Sequence, residues 1–392
     1  MLTRRHLLAA AAAAALPVPA RADKPAYRVA VIGHTGRGNY GHGLDTMWQL
    51  LPQPQLVAVA DADPAGLAAA QKKLKVERGF ADYTAMLREV KPDIVAIGPR
   101  HLDQHHAMTL AAVEHGARGI YAAEAAKPEP GSADEIFAAC APHGVKFSLA
   151  HRNPFHPALQ ACHQLINDGA IGRFLEARAR GKEDTRGGGQ DLWVLGCHLF
   201  NLAEFFMGAP LSCSARVLQD GKPCTREHVI DGPEGIGPLA GNEVHARYNM
   251  ANGLPLFFDS VQNAGTRDAG FGLQLIGTEG LIDLRIDAEP LAHLRRGSPF
   301  NPRAASQPWQ PVFSAGLTAE EPIAGLGKQI SSHSAAALDL IAAIEEDRAP
   351  LCDAAAGRTT IEMICAVFES HRLAGQAVRF PLETRVNPLT RL

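Results

Sequence analysis

An α/β protein is predicted: a doubly wound parallel sheet between residues 23 and 150, then a second α/β unit over residues 151–392. Three observations predict it. Short β-branched runs alternate with helical stretches from Tyr27 to Ala150, at the spacing of right-handed βαβ crossovers. Tight-turn signals flanked by strand-like runs follow at Ala251-Asn252-Gly253 and Gly277-Thr278-Glu279-Gly280. Apolar residues make up 46% of the chain and charged residues 20%, enough to bury two cores at about 150 residues per domain.

The elements follow in order. Residues 1–22 read as a targeting segment: Arg4-Arg5 precede the alanine-dominated run Leu7–Leu16, and Ala20-Arg21-Ala22 offers a cleavage site. The paired arginines resemble a twin-arginine signal, which implies export to the periplasm in a folded state. Arg28–Ile32 is a buried strand ending at Gly33, and a helix is expected over 44–51. Leu56–Ala60 is a second strand stopping at Asp61, followed by a helix over 64–74 with Asp63 as N-cap and Pro64 in its first turn. Strands at 94–97, 119–121 and 145–149 alternate with helices at 105–115 and 132–140. Beyond them come strands at 174–180, 243–248, 254–261, 273–276 and 281–285. The Pro-, Ala- and Ser-rich stretch 297–327 reads as irregular, before helices at 334–346 and 354–374 and an edge segment at 379–382.

Composition excludes several functions. With 38 Lys+Arg against 41 Asp+Glu, the net charge of −3 lacks the basic face that nucleic acid requires. No charge-free apolar run reaches about 18 residues, so no membrane span is expected. The seven cysteines are scattered and never spaced C-x-x-C, which argues against a disulfide framework or a structural zinc site.

In a parallel sheet, ligands sit beyond the carboxyl ends of the strands. The first such turn is Gly33-His34-Thr35-Gly36-Arg37-Gly38-Asn39-Tyr40-Gly41. Counted from Gly33, Thr35 takes the middle slot of G-x-G-x-x-G; a literal match starts at Gly36. Glycines there let the backbone approach a diphosphate, which a helix N-terminus then favours. Asp61 would accept the ribose hydroxyls and repel a 2′-phosphate, so NAD is expected ahead of NADP, although Arg37 could accommodate that phosphate. The alternative is a glycine-rich turn without a ligand, with Asp61 as a cap.

Further segments resemble the glucose–fructose oxidoreductase/inositol dehydrogenase (Gfo/Idh/MocA) superfamily. They are Gly98-Pro99-Arg100-His101, Lys127-Pro128, Gly169-Ala170-Ile171-Gly172, Gly196-Cys197-His198 and Gly277–Gly280. The resemblance covers essentially the whole mature chain. It implies a Rossmann domain, with His101 and Glu124 near the cofactor, and a C-terminal α/β domain with a large, mostly antiparallel sheet that often builds homo-oligomers. It also implies oxidation or reduction of a sugar, polyol or related carbinol with NAD(P).

The chain departs from the family pattern twice. The usual Glu-Lys-Pro lies two residues past the fourth strand; here Glu124 and Lys127-Pro128 supply the residue types with two alanines between them. In the family's Asp-x-Gly-x-His pattern, His198 matches but Val194 replaces the carboxylate, and Asp191 is the candidate substitute. His198 is expected as proton acceptor, because an imidazole titrates near neutrality. Lys127 or Lys182 is the expected catalytic lysine, and His151, Arg152 and Asp191 are expected to bind substrate. A metal on His151, His156 and His198 fits no zinc spacing, so none is expected. Two other functions stay open: a glycosidase or lyase recycling a captive NAD, and a sugar-binding protein without catalysis.

Overall fold

The computed structural model describes residues 27–123, 129–264, 271–286, 288–303, 307–318 and 320–392. Six parallel strands form the first sheet: β1 (Tyr27–Ile32), β2 (Pro54–Ala60), β3 (Gly79–Phe80), β4 (Ile94–Ile97), β5 (Gly119–Ala122) and β6 (Lys146–Leu149). Their order, β3-β2-β1-β4-β5-β6, is that of a Rossmann sheet, with its topological switch between β1 and β4. Val29 to Ile32 are at most 1% exposed, as expected of a strand covered on both faces.

Local chemistry explains the flanking helices. Asp63 caps α1 (Pro64–Leu74), accepting from the Gly66 amide at 2.6 Å, as its position before Pro64 predicts. Asp82 caps α2 (Tyr83–Val90), which the sequence reading passed over. Helices α3 (His105–Glu114) and α4 (Pro130–Cys140) fall within two residues of the spans expected from sequence.

The helix expected over 44–51 does not form; a single 3₁₀ turn, Met47–Leu50, stands in its place. Gly36, Gly38, Asn39, Gly41 and Gly43 all have φ between 54° and 91°, so the backbone ahead of Leu44 cannot be helical. Part of the missing cover comes from the far end of the chain. α9 (Ser334–Glu346) lays Ala336, Ala337, Leu340 and Ile341 into one core with Val29, Val31, Trp48 and Tyr121. The unit beginning at residue 151 therefore returns to complete the first domain.

The second domain opens with α5 (Ala158–Asn167), β7 (Phe174–Arg180), α6 (Gly189–Val194) and α7 (Gly196–Met207). Then come β8 (Pro210–Gln219), β9 (Lys222–Pro223), β10 (Ile230–Gly232), β11 (Gly237–Leu239), β12 (Glu243–Met250) and β13 (Pro255–Val261). After β14 (Gly272–Gly277), β15 (Gly280–Arg285), β16 (Ala292–Arg296) and β17 (Gln310–Val312), the chain closes with α8 (Leu326–Ser331), α9, α10 (Ala354–Arg372) and β18 (Val378–Arg379). The large sheet runs β17-β16-β15-β14-β7-β13-β12-β8-β18; only the β7–β13 pair along that path is parallel. Helices α7 and α10 pack on its inner face, where Phe200, Tyr248, Phe258 and Phe368 are fully buried. No described helix is long and apolar enough to cross a membrane.

Candidate active site

A cavity of about 380 Å³ lies where the two domains meet. Arg100, Ala123 and Ala150, just past the carboxyl ends of β4, β5 and β6, form one wall. The opposite wall carries Lys182, Trp193, Cys197 and His198, and α10 adds Thr360, Ile361 and Ile364. The parallel sheet thus presents its ligand-binding edge to a largely apolar wall of the second domain in which Lys182, Arg186 and His198 are set.

Each polar group is set by its element. His198 sits in the first turn of α7, half-buried, with its ring centroid 5.2 Å from that of His151. His151 follows β6 and is 1% exposed; its backbone carbonyl accepts from the Cys352 thiol at 3.2 Å. Ligand atoms of His151, Cys197 and His198 all lie within 4.8 Å of one another, a cluster different from the His151, His156 and His198 set weighed from sequence. His156 instead accepts from the Ala158 amide at 3.2 Å, at the start of α5. Arg152 lines the cavity while donating to the Ser331 carbonyl at 3.1 Å. Lys182 places its Nζ 5.0 Å from the centre of the Phe271 ring, a cation–π contact at the cavity wall.

Asp191 does not line the cavity. Its Oδ2 accepts from the Glu183 amide and the Ser260 hydroxyl, both at 2.9 Å, and burial raises its pKa. Its role is to hold the 181–191 loop that carries Lys182. Glu183 is buried too, in a bidentate pair with Arg180 at 2.7 and 2.9 Å. Asp184 pairs with Arg186, whose guanidinium holds its pKa down at about 2. His101 precedes the 3₁₀ turn Leu102–Gln104 and likewise lies outside the cavity lining. Glu124 and Lys127 fall outside the described residues.

The first βα turn departs furthest from expectation. Asp61 is 1% exposed and its carboxylate is taken up by the chain. It accepts from the Thr35 amide at 3.1 Å, the Thr35 hydroxyl at 2.8 Å, the Tyr40 hydroxyl at 2.8 Å and the Asp63 amide at 3.0 Å. Burial alone would raise its pKa, but these donors outweigh burial and lower it. Arg37 pairs with Asp103. In chemistry the site fits an adenosine ribose: an ionised carboxylate at the end of β2, built to accept hydroxyls. The hydroxyls it now accepts are those of Thr35 and Tyr40.

Arg100, Trp193, Phe271, His333 and the α10 residues were missed from sequence. Arg100 lies in the Gly98–His101 segment but was not singled out there; the others belong to no motif, and α10 reaches the cavity from more than 150 residues beyond His198. Only contact across the domain boundary reveals them.

Residues 27–151 match the sequence model of Gfo/Idh/MocA, an oxidoreductase family with an NAD-binding Rossmann fold. D-apiose dehydrogenase of Paraburkholderia graminis is 29% identical over 288 residues, covering 68% of this chain and 72% of that protein. Levoglucosan dehydrogenase, solved with NADH and levoglucosan, superposes with a TM-score of 0.69 at 19% identity, over 91% of this chain and 99% of its own. An inositol dehydrogenase homologue from Azotobacter vinelandii, solved with NADH and myo-inositol, gives a TM-score of 0.69 at 16% identity, over 91% and 98%. These structures share the fold of both domains.

Proposed function

We propose that this chain is a Gfo/Idh/MocA-type oxidoreductase that oxidises or reduces the CH–OH group of a sugar, polyol or related carbinol with NAD. The observation that carries the reading is the cavity at the carboxyl edge of β4–β6, faced by His198, Lys182 and Arg152. NAD, bound along that edge with its adenosine ribose toward Asp61, would supply the hydride acceptor. His198 takes the hydroxyl proton as the carbinol becomes a carbonyl. Lys182 and Arg152 steady the developing oxyanion and the neighbouring oxygens of the substrate. Lys127 is the other candidate lysine.

Two further expectations join this proposal. The protein is exported through its Arg4-Arg5 signal, and copies associate through the large sheet of the second domain. N-terminal sequencing of periplasmic protein and sedimentation of the purified protein test them.

The activity test incubates the purified protein with NAD⁺ or NADP⁺ and a panel of myo-inositol, D-apiose, levoglucosan, glucose and glucuronate, following reduced-nicotinamide absorbance. Turnover of at least one member with NAD⁺, lost in His198→Ala, supports the reading. Absence of both turnover and NADH binding refutes it.

A further inference from the structure

The chain fills its own nucleotide mouth. The Tyr40 ring lies over Gly33, where an added Cβ would stand 2.1 Å from Tyr40 Cε1. Its hydroxyl reaches Asp61 at 2.8 Å. On the far side of the switch point, a Cβ on Gly98 would stand 3.2 Å from Tyr40 Cα, so the turn lies across the crevice between β1 and β4. Gly66, in the first turn of α1, closes against Thr35: a Cβ there would stand 2.0 Å from the threonine hydroxyl.

The amides are used as well. His34 N and Asn39 N exchange bonds with each other's carbonyls at 3.0 Å, Arg37 N donates to the His34 carbonyl, and Gly36 N donates to the Asn39 side chain at 3.1 Å. Thr35 N is spent on Asp61. A diphosphate at this turn would need donors that now serve the turn itself.

We propose that Tyr40 is a latch on the adenosine-ribose subsite, its phenol standing in for a sugar hydroxyl on Asp61, so that a dinucleotide enters only when Tyr40 leaves. This inference rests on the NAD reading above. Both donors are hydroxyls meeting one carboxylate, so they compete for the same lone pairs. The turn is suited to opening. Tyr40 is half-buried rather than enclosed, and no regular helix fixes the segment between Gly33 and Met47. The clips that tie it to the segment after β4 are Arg37–Asp103, at 42% and 37% side-chain exposure, and His34–Gln104 at 2.6 Å.

The test is direct binding to the full-length wild-type protein and to Tyr40→Phe, which keeps the ring over Gly33 and removes only the competing hydroxyl. NADH, ADP-ribose and nicotinamide mononucleotide are titrated by calorimetry, and thermal unfolding checks that both proteins are folded. NADH and ADP-ribose should each bind Tyr40→Phe about tenfold tighter, the worth of one hydrogen bond to a charged group. Nicotinamide mononucleotide, which has no adenosine, should bind both proteins alike. Equal or weaker NADH binding by Tyr40→Phe overturns the latch and leaves the cofactor reading standing. An equal gain for nicotinamide mononucleotide also overturns it, because the effect would then not be local to the ribose. If neither protein binds NADH or ADP-ribose, the cofactor reading fails and the latch falls with it.

Discussion

Glu204 offers the most quantitative check on how the site is mounted. It lies on α7 below His198, beside Asp353, whose carboxylate caps α10 by accepting the Ala356 amide at 2.9 Å. Burial, and next the charge of Asp353, push the Glu204 carboxyl up from 4.5 to about 8. Below pH 4.5 the group is protonated whether folded or unfolded, and it contributes no pH dependence. Between 4.5 and 8 the unfolded chain loses the proton and the folded chain keeps it. Stability therefore falls as pH rises through this window. At 1.36 kcal/mol per unit, a displacement of about 3.5 units sets a ceiling of about 5 kcal/mol. The side chain keeps some solvent contact, so about 2–3 kcal/mol is the expected loss. Glu204→Gln removes the titration while keeping the shape. Urea unfolding of both proteins at pH 5, 6, 7 and 8 should show the variant gaining steadily on the wild type, most at pH 8. Parallel stability profiles would refute the reasoning, for they would mean that Glu204 ionises in the folded protein as it does in water.

Three further outcomes are expected. His198→Asn should lower kcat about 10²–10³-fold with little change in KM, because the lost group handles a proton rather than holding substrate; steady-state kinetics on any substrate found in the panel decides this. Arg100, Arg152, Lys182 and Arg186 face the cavity with Glu234 as the one carboxylate among the described lining residues, so a uronate should show a lower KM than its neutral sugar. Arg152→Met with Lys182→Met should erase that preference. Activity should survive exhaustive dialysis against EDTA, with metal well below one equivalent by elemental analysis. A stoichiometric ion whose removal abolishes turnover would instead make His151, Cys197 and His198 its ligands.

Much of the first domain was legible because its signals are local. The strand run Val29–Ile32, the Asp63-Pro64 cap and the helix expected over 105–115 each depend on a few adjacent residues, and each forms as expected. The missing helix after β1 was legible in part: the glycines from Gly33 to Gly43 bar any helix from starting before Leu44, which leaves only the eight residues 44–51 ahead of Pro52. β8, ten residues long, went unread because its alternation of serine, cysteine and alanine makes a weak period-2 signal. In the site, His198 belongs to a short motif, and both it and Lys182 do reach the cavity. Asp191 lies one helical turn from Val194, where the family pattern has its carboxylate, yet its side chain turns to Ser260 and the Glu183 amide rather than to the cavity.

The glycines carry a more general point about such motifs. A glycine marks a place where a Cβ does not fit; it does not name the group that takes the room. At Gly33 that group is the Tyr40 ring, at Gly66 the Thr35 hydroxyl, and at Gly181 the Asp191 carboxylate, 2.2 Å from where a Cβ would stand. A diphosphate at Gly33 would satisfy the same sequence pattern, and so would Tyr40, since each needs a bare backbone at the end of β1. The two occupants differ in what they demand of the neighbours. A diphosphate draws on unspent amides and a following helix N-terminus; an aromatic ring with a hydroxyl needs only an apolar floor and one acceptor. Thr35 N on Asp61, Gly36 N on Asn39 and a 3₁₀ turn in place of the helix meet the second set of demands. If the latch holds, the first set is met only after the turn reorganises, and the cost of opening residues 34–46 then counts against every contact made to the cofactor.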